Sequence, residues 1–194
     1  AAQIIDEKIE KRALILEEFL QTERDYVDNI KTLKTYFIDA CKQQQHKILA
    51  RDDSSEVSPL HLVRLFGDLD VIIGVNTRFL QQLEKIVAGS LTIKTPRGNN
   101  VKEAAAREDA VADLMVQYSQ AFKLYTGYIT GYTIMIENVN FEIQKNPKFA
   151  QFLEEVRHKL KAEQKRMSNL SSYQILPIQR IPRTFSLVFA FFFV

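Results

Sequence analysis

A chain of 194 residues with 46% hydrophobic and 26% charged side chains is long enough to bury one substantial core. Its formal net charge of +2 supplies no general attraction to nucleic acid or membrane. The single cysteine, Cys41, excludes an internal disulfide and a cysteine-built zinc site and suits a reducing, intracellular compartment.

Six glycines and five prolines predict long helices rather than many short strands. The segment from Ile4 to Arg12 is too charged to be the apolar core of a signal peptide. The first helical pattern runs through Ile5, Ile9, Ala13, Leu16, Leu20, Val27, Ile30, Phe37 and Cys41 at steps of three, four or seven. Glu18 falls off this stripe, on the face of Leu14, Thr22 and Asp25, where a carboxylate ordinarily meets solvent. The polar run RDDSSEVS ends the pattern, and Ser58-Pro59 predicts a capped helix start. A second stripe through Leu62, Leu65, Leu69, Ile72, Phe79, Leu83 and Ile86 is expected to end near Gly89.

GSLTIKTPRGNN reads as an exposed connection. A third long helix is then predicted through Val111, Leu114, Tyr118, Phe122, Tyr125, Ile129, Tyr132, Ile136 and Val139. Gly127 and Gly131 lie on it at a spacing that suits close helix packing. Asn146-Pro147 separates a fourth helix through Phe149, Phe152 or Leu153, Val156 and Leu160. Its basic run RHKLKAEQKR fits an acidic partner or anionic lipid, and more ordinarily a solvated helix face. Ser171 and Ser172 are candidate caps for a fifth element beginning at Tyr173. In QRIPR, Gln179, Arg180 and Arg183 fit the wet side of a proline-kinked helix. From Phe185 to Val194 the chain is apolar except for Ser186, too short a run to span a bilayer, which needs about 20 residues. Such a run either buries all round or stays exposed and favours aggregation.

His46, His61 and His158 fall on different predicted elements, which offers no metal site, and no glycine-rich phosphate loop precedes a helix. With no alternating strand pattern and no repeat, the fold class is all-α, an elongated bundle of long helices.

LEEFLQTERDYVDNI, FGDLDVIIGVNTRFLQQLE with FKLYTGYITGY, and YQILPIQRIPR resemble, in this order, the characteristic regions of the Dbl-homology domain. That domain is the exchange unit of guanine nucleotide exchange factors for Rho-family GTPases. The likeness runs from about Leu14 to Arg183 and implies one domain over residues 1–194. It implies that Glu18 contacts switch I of a Rho/Rac-family small GTPase, and that Gln179 and Arg183 engage switch II. Ile175 and Ile178 take positions whose apolar contacts influence which GTPase is accepted. No cofactor, metal or covalent chemistry is implied. The implied setting is cytoskeletal signalling in the cytoplasm, at or near the inner face of the plasma membrane, with membrane contact only indirect or through flanking domains.

The chain also departs from the family pattern. Leu176 stands where a lysine is usual, and Thr184 and Phe185 stand where tyrosine and proline are common. The family's last helix continues for tens of residues, whereas this chain stops about eleven after Arg183, which implies a C-terminally incomplete domain. Two readings follow: an exchange-factor domain, or a helical scaffold or GTPase-binding module without exchange activity.

Overall fold

The computed structural model describes residues 2–49, 59–91 and 100–193. Among them the regular elements are all helical. Helix α1 (Ala2–Thr32) passes into a π-helical run (Leu33–Asp39), followed by the short α2 (Ala40–Gln43) and α3 (Gln45–Ile48). After α4 (Pro59–Phe66) and α5 (Asp70–Leu91), α6 (Asn100–Tyr118) leads into a 3₁₀ run (Ser119–Leu124). The chain ends in α7 (Tyr125–Lys145), α8 (Pro147–Ala162), α9 (Leu170–Gln174) and α10 (Leu176–Phe193). Ser58 and the connections at 51–58 and 92–99 lie outside the described residues.

The chain divides into two compact units. The first comprises α1 up to Val27, α5 from Ile73, α6 with the 3₁₀ run, and α10 from Gln179. Its core is built from Leu16, Phe19 and Leu20 of α1, Phe79 and Leu83 of α5, Val111 and Leu114 of α6, and Leu187 and Phe191 of α10. Each such side chain contributes about 1.5–3 kcal/mol by leaving water. Phe79 joins the layers, 6.0 Å from the Phe19 ring and edge-on to Tyr118 at 5.2 Å. The apolar C-terminal run therefore takes neither of its two expected fates as a whole. Its Leu187 and Phe191 face enters the core, while Phe185, Phe189 and Phe193 face solvent.

The second unit comprises Asp28–Ile72 and Tyr125–Ile178. Phe37, Cys41, Leu65, Phe66, Phe149, Leu160 and Tyr173 are buried within it. Gln174, fully buried, organises its polar interior: its side-chain amide nitrogen donates to the Leu65 carbonyl, and its backbone carbonyl accepts from the Tyr128 hydroxyl, both at 2.8 Å. Asn146 caps α8 by accepting from the Phe149 amide at 3.2 Å, with Pro147 in the first turn, and donates to the Ile48 carbonyl at 2.8 Å. Asn169, rather than Ser171 or Ser172, caps α9, which begins at Leu170. An Asn side chain in extended backbone reaches the third amide beyond it, and here that is the Ser172 N–H.

The predicted third helix is interrupted by the 3₁₀ run at 119–124, and the tighter winding there shifts the stripe beyond it. Tyr128 is buried in place of Ile129, which is exposed. A side chain at Gly127 or Gly131 would meet nothing within 4 Å, so their spacing serves no close packing. Helix α5 also runs past Gly89 to Leu91. The basic run on α8 is largely paired within its own unit. Arg157 and His158 lie 2.7 and 3.0 Å from Glu154, Lys159 sits over the Tyr36 ring, and Lys165 meets Asp28 at 3.0 Å.

The predicted second helix breaks into α4 and α5 at Gly67, whose φ of +74° closes α4 through its amide to the Val63 carbonyl. A Cβ there would lie 2.6 Å from Cε2 of Tyr128, a ring whose hydroxyl is anchored on Gln174. Gly67→Ala therefore combines left-handed strain with a clash against a fixed ring, and an expected loss of about 2–3 kcal/mol follows. Urea denaturation measures it; a midpoint unchanged from wild type would contradict this geometry.

Burial, then the Glu142 charge, raises the Cys41 thiol to about 12, and burial raises the Tyr173 hydroxyl to about 12. Folding favours the protonated form of both, so their contribution is complete below about pH 9, where the unfolded thiol begins to ionise. Between there and about pH 12 the unfolded chain releases these protons first, and stability falls as pH rises. Melting followed by circular dichroism should show a midpoint that declines from pH 9 upward. A flat or rising profile would exclude this linkage.

Candidate functional site

In the first unit, residues of α1 and α10 meet in two layers. The inner layer is a buried ion pair. Glu23 is 0% and Arg180 4% exposed, and the Arg180 Nη2 contacts the Glu23 Oε1. The Tyr26 ring lies 5.3 Å from the guanidinium, and the buried Thr184 hydroxyl donates to the Arg180 carbonyl at 2.8 Å. Burial, and secondarily the like charge of Arg183, push the Arg180 guanidinium down to about 9. Arg180 thus remains a cation at neutral pH.

Arg180 was expected on the wet side of its helix and is instead part of the packed face. Residues 180, 184, 187 and 191 follow one another at helical steps, and all are buried. Glu23 escaped notice for a related reason. The seven-residue step from Leu20 to Val27 passes directly over it, three residues after one and four before the other. Two opposite charges on apolar stripes were the available signal.

The outer layer holds the residues singled out by resemblance. Arg183 Nη2 lies 3.8 Å from Glu18 Oε1 and 3.4 Å from the Thr22 hydroxyl, with the Glu18 and Arg183 side chains about 60% exposed. At that distance and exposure the pair is worth under about 1 kcal/mol, so either group can exchange its partner at small cost. Gln179, one turn before Arg183, is exposed in the same unit. Neighbouring polar residues of the first unit pair locally: Gln21 donates to Asp25 at 2.8 Å, and Arg24 meets Glu84 at 2.9 Å. Ile175 and Ile178 belong to the second unit, where both are half-buried. Ile175 ends α9, and its carbonyl accepts from the Ile178 amide at 3.1 Å.

The Glu23–Arg180 and Glu18–Arg183 contacts belong to one register of α1 against α10. The resulting surface carries an acceptor-only group beside a donor-only group, both near water and neither strongly committed. It suits charge-assisted recognition of a protein partner.

The family model for the RhoGEF domain matches residues 15–189. Among curated proteins, "Kinase and exchange factor for Rac B" of Dictyostelium discoideum is 23% identical over 182 residues, covering 94% of this chain and 14% of that protein. "Guanine exchange factor for Rac 30" of the same organism is 25% identical over 173 residues, covering 89% of this chain and 9% of that protein. "Rho guanine nucleotide exchange factor 17" of Mus musculus is 24% identical over 176 residues, covering 91% and 7%. The chain therefore spans only a small part of each of these relatives. A solved structure of the Vav1 exchange factor shares the fold, with a TM-score of 0.71 at 18% identity, covering 95% of this chain and 42% of that one.

Proposed function

We propose a function from one premise: this chain belongs to the RhoGEF domain family, whose model matches residues 15–189. It binds the switch regions of a Rho/Rac-type small GTPase in the cytoplasm and promotes GDP release and GTP loading. The exposed, weakly held Glu18–Arg183 pair carries this reading.

Nucleotide exchange breaks no covalent bond, so no nucleophile or metal ligand is asked of the exchange factor. It must bind the GTPase more tightly when the switches are displaced from the nucleotide, because only differential affinity shifts an equilibrium. Glu18 accepts hydrogen bonds from switch I and draws it away from the nucleotide. Arg183, assisted by Gln179, donates to switch II and holds the remodelled position. Ile175 and Ile178 bias the choice of GTPase through apolar contact. GTP then enters by mass action and expels the exchange factor.

Release of a fluorescent GDP analogue from a panel of Rho-family GTPases tests the reading, with this chain and a chain extended by its natural downstream sequence. Acceleration with at least one member is expected. Binding without acceleration by either form would select the non-catalytic module, and neither binding nor acceleration would overturn the proposal.

A further inference from the structure

The second unit holds a cavity of about 260 Å³ lined by α7, α8 and the start of α9. Ile136, Val139 and Ile143 of α7, with Ala150 and Leu153 of α8, make its walls largely apolar. Its polar lining is mostly committed. Arg157 Nη2 donates to Glu154 Oε1 at 2.7 Å, and the Ser171 hydroxyl donates to Asn169 Oδ1 at 3.0 Å. Glu154 and Arg157 are the charged residues of the lining, so its net charge is zero.

Gln174 also lines this cavity and is 0% exposed. Its side-chain amide has one possible orientation, because the Leu65 carbonyl only accepts and therefore faces the Nε2 donor. That leaves Oε1 buried with no hydrogen-bond partner among the described residues. The side chain is not free to turn elsewhere, since Leu65 holds its nitrogen and the Tyr128 hydroxyl holds its backbone carbonyl. A buried carbonyl oxygen nearly always receives a donor, and an orphan fixed in the lining of a cavity marks where a ligand's donor fits.

We infer that this cavity is a binding site for a small, neutral, mainly apolar molecule that presents an N–H or O–H donor to Gln174 Oε1. The apolar walls favour an apolar body, and an ion would lose its hydration without gaining an uncommitted counter-charge. The volume lies below the usual range for drug-sized ligands and suits a molecule of one or two rings. The lining is preformed, with α8 capped by Asn146 and α9 by Asn169. The Ser171 carbonyl accepts from the Ile175 amide at 3.2 Å, which links the cavity to a residue assigned a GTPase contact above. That link alone rests on the proposed function; the binding site does not.

The test titrates two probes at millimolar concentration into the isotope-labelled chain and follows amide resonances by NMR. Indole carries one N–H donor, and benzofuran has nearly the same shape with an oxygen in its place. Indole is expected to give saturable shifts centred on Leu153, Ser171, Gln174 and Ile175, with at least tenfold weaker binding of benzofuran. Ala150→Leu, which fills the cavity from a wall, should abolish the indole shifts while leaving the melting midpoint near wild type. Should that variant fail to fold, the contrast between the two probes on the wild-type chain decides alone. Equal binding of indole and benzofuran would remove Gln174 Oε1 from the site and overturn the inference. Shifts that do not saturate, or that map away from the cavity, would overturn it as well. None of these outcomes bears on nucleotide exchange, so the proposed function stands or falls separately.

Discussion

Glu23→Ala is expected to lower the unfolding free energy by about 3–5 kcal/mol, a large share of the roughly 5–15 kcal/mol that holds a typical domain together. The substitution removes the partner of a guanidinium that is only 4% exposed and leaves an uncompensated cation in the first unit. The guanidinium also lies over the Tyr26 face, and a ring quadrupole replaces little of a carboxylate. Removing both charges together has a different consequence. A Glu23→Leu/Arg180→Met double variant exchanges the desolvated pair for apolar volume and should lie within about 1–2 kcal/mol of wild type, or above it. Urea denaturation of both variants separates the two effects. A loss below about 1 kcal/mol for Glu23→Ala would mean that the pair is not isolated from solvent.

Glu18→Ala should behave in the opposite way. Its carboxylate is exposed and its link to Arg183 is long, so stability should change by less than about 1 kcal/mol. Exchange on the cognate GTPase should slow by about ten- to a hundredfold, the effect of deleting a charged hydrogen-bond acceptor worth about 1.5–3 kcal/mol. The pair of outcomes, a stability loss at position 23 and a rate loss at position 18, distinguishes the inner layer from the outer. If Glu18→Ala exchanges at the wild-type rate, the assigned role of Glu18 fails while membership of the family is untouched.

The stripe that begins on α1 was legible from its spacing: Leu16, Leu20, Val27 and Ile30 are buried, and Phe37 and Cys41 continue it buried through the π-helical run and α2. The breaks were less legible. A glycine such as Gly67 is compatible with a helix interior, and the left-handed turn and the close Tyr128 ring that require glycine there arise only in the tertiary structure. The 3₁₀ run at 119–124 leaves no residue-type signal, because Ser119 to Leu124 are ordinary helix residues, and it displaces the inward face from Ile129 to Tyr128. The candidate site divides in the same manner. Glu18, Gln179 and Arg183 were visible through motif position, whereas the ion pair beneath them depends on which side of each helix is covered. Periodicity assigns charged residues to water by default, and Glu23 and Arg180 reverse that default only through each other.

The burial of Cys41 has a practical consequence for watching this molecule at work. It is the sole cysteine of the chain and is 0% exposed. With its thiol held protonated far above neutral pH, it is a poor nucleophile toward maleimides and iodoacetamides. The natural sequence is therefore already a clean background for single-site labelling. One cysteine introduced on the exposed face of α1 or α10, at Asp25 or Ser186 for instance, would carry a spin label or fluorophore without removal of the native thiol.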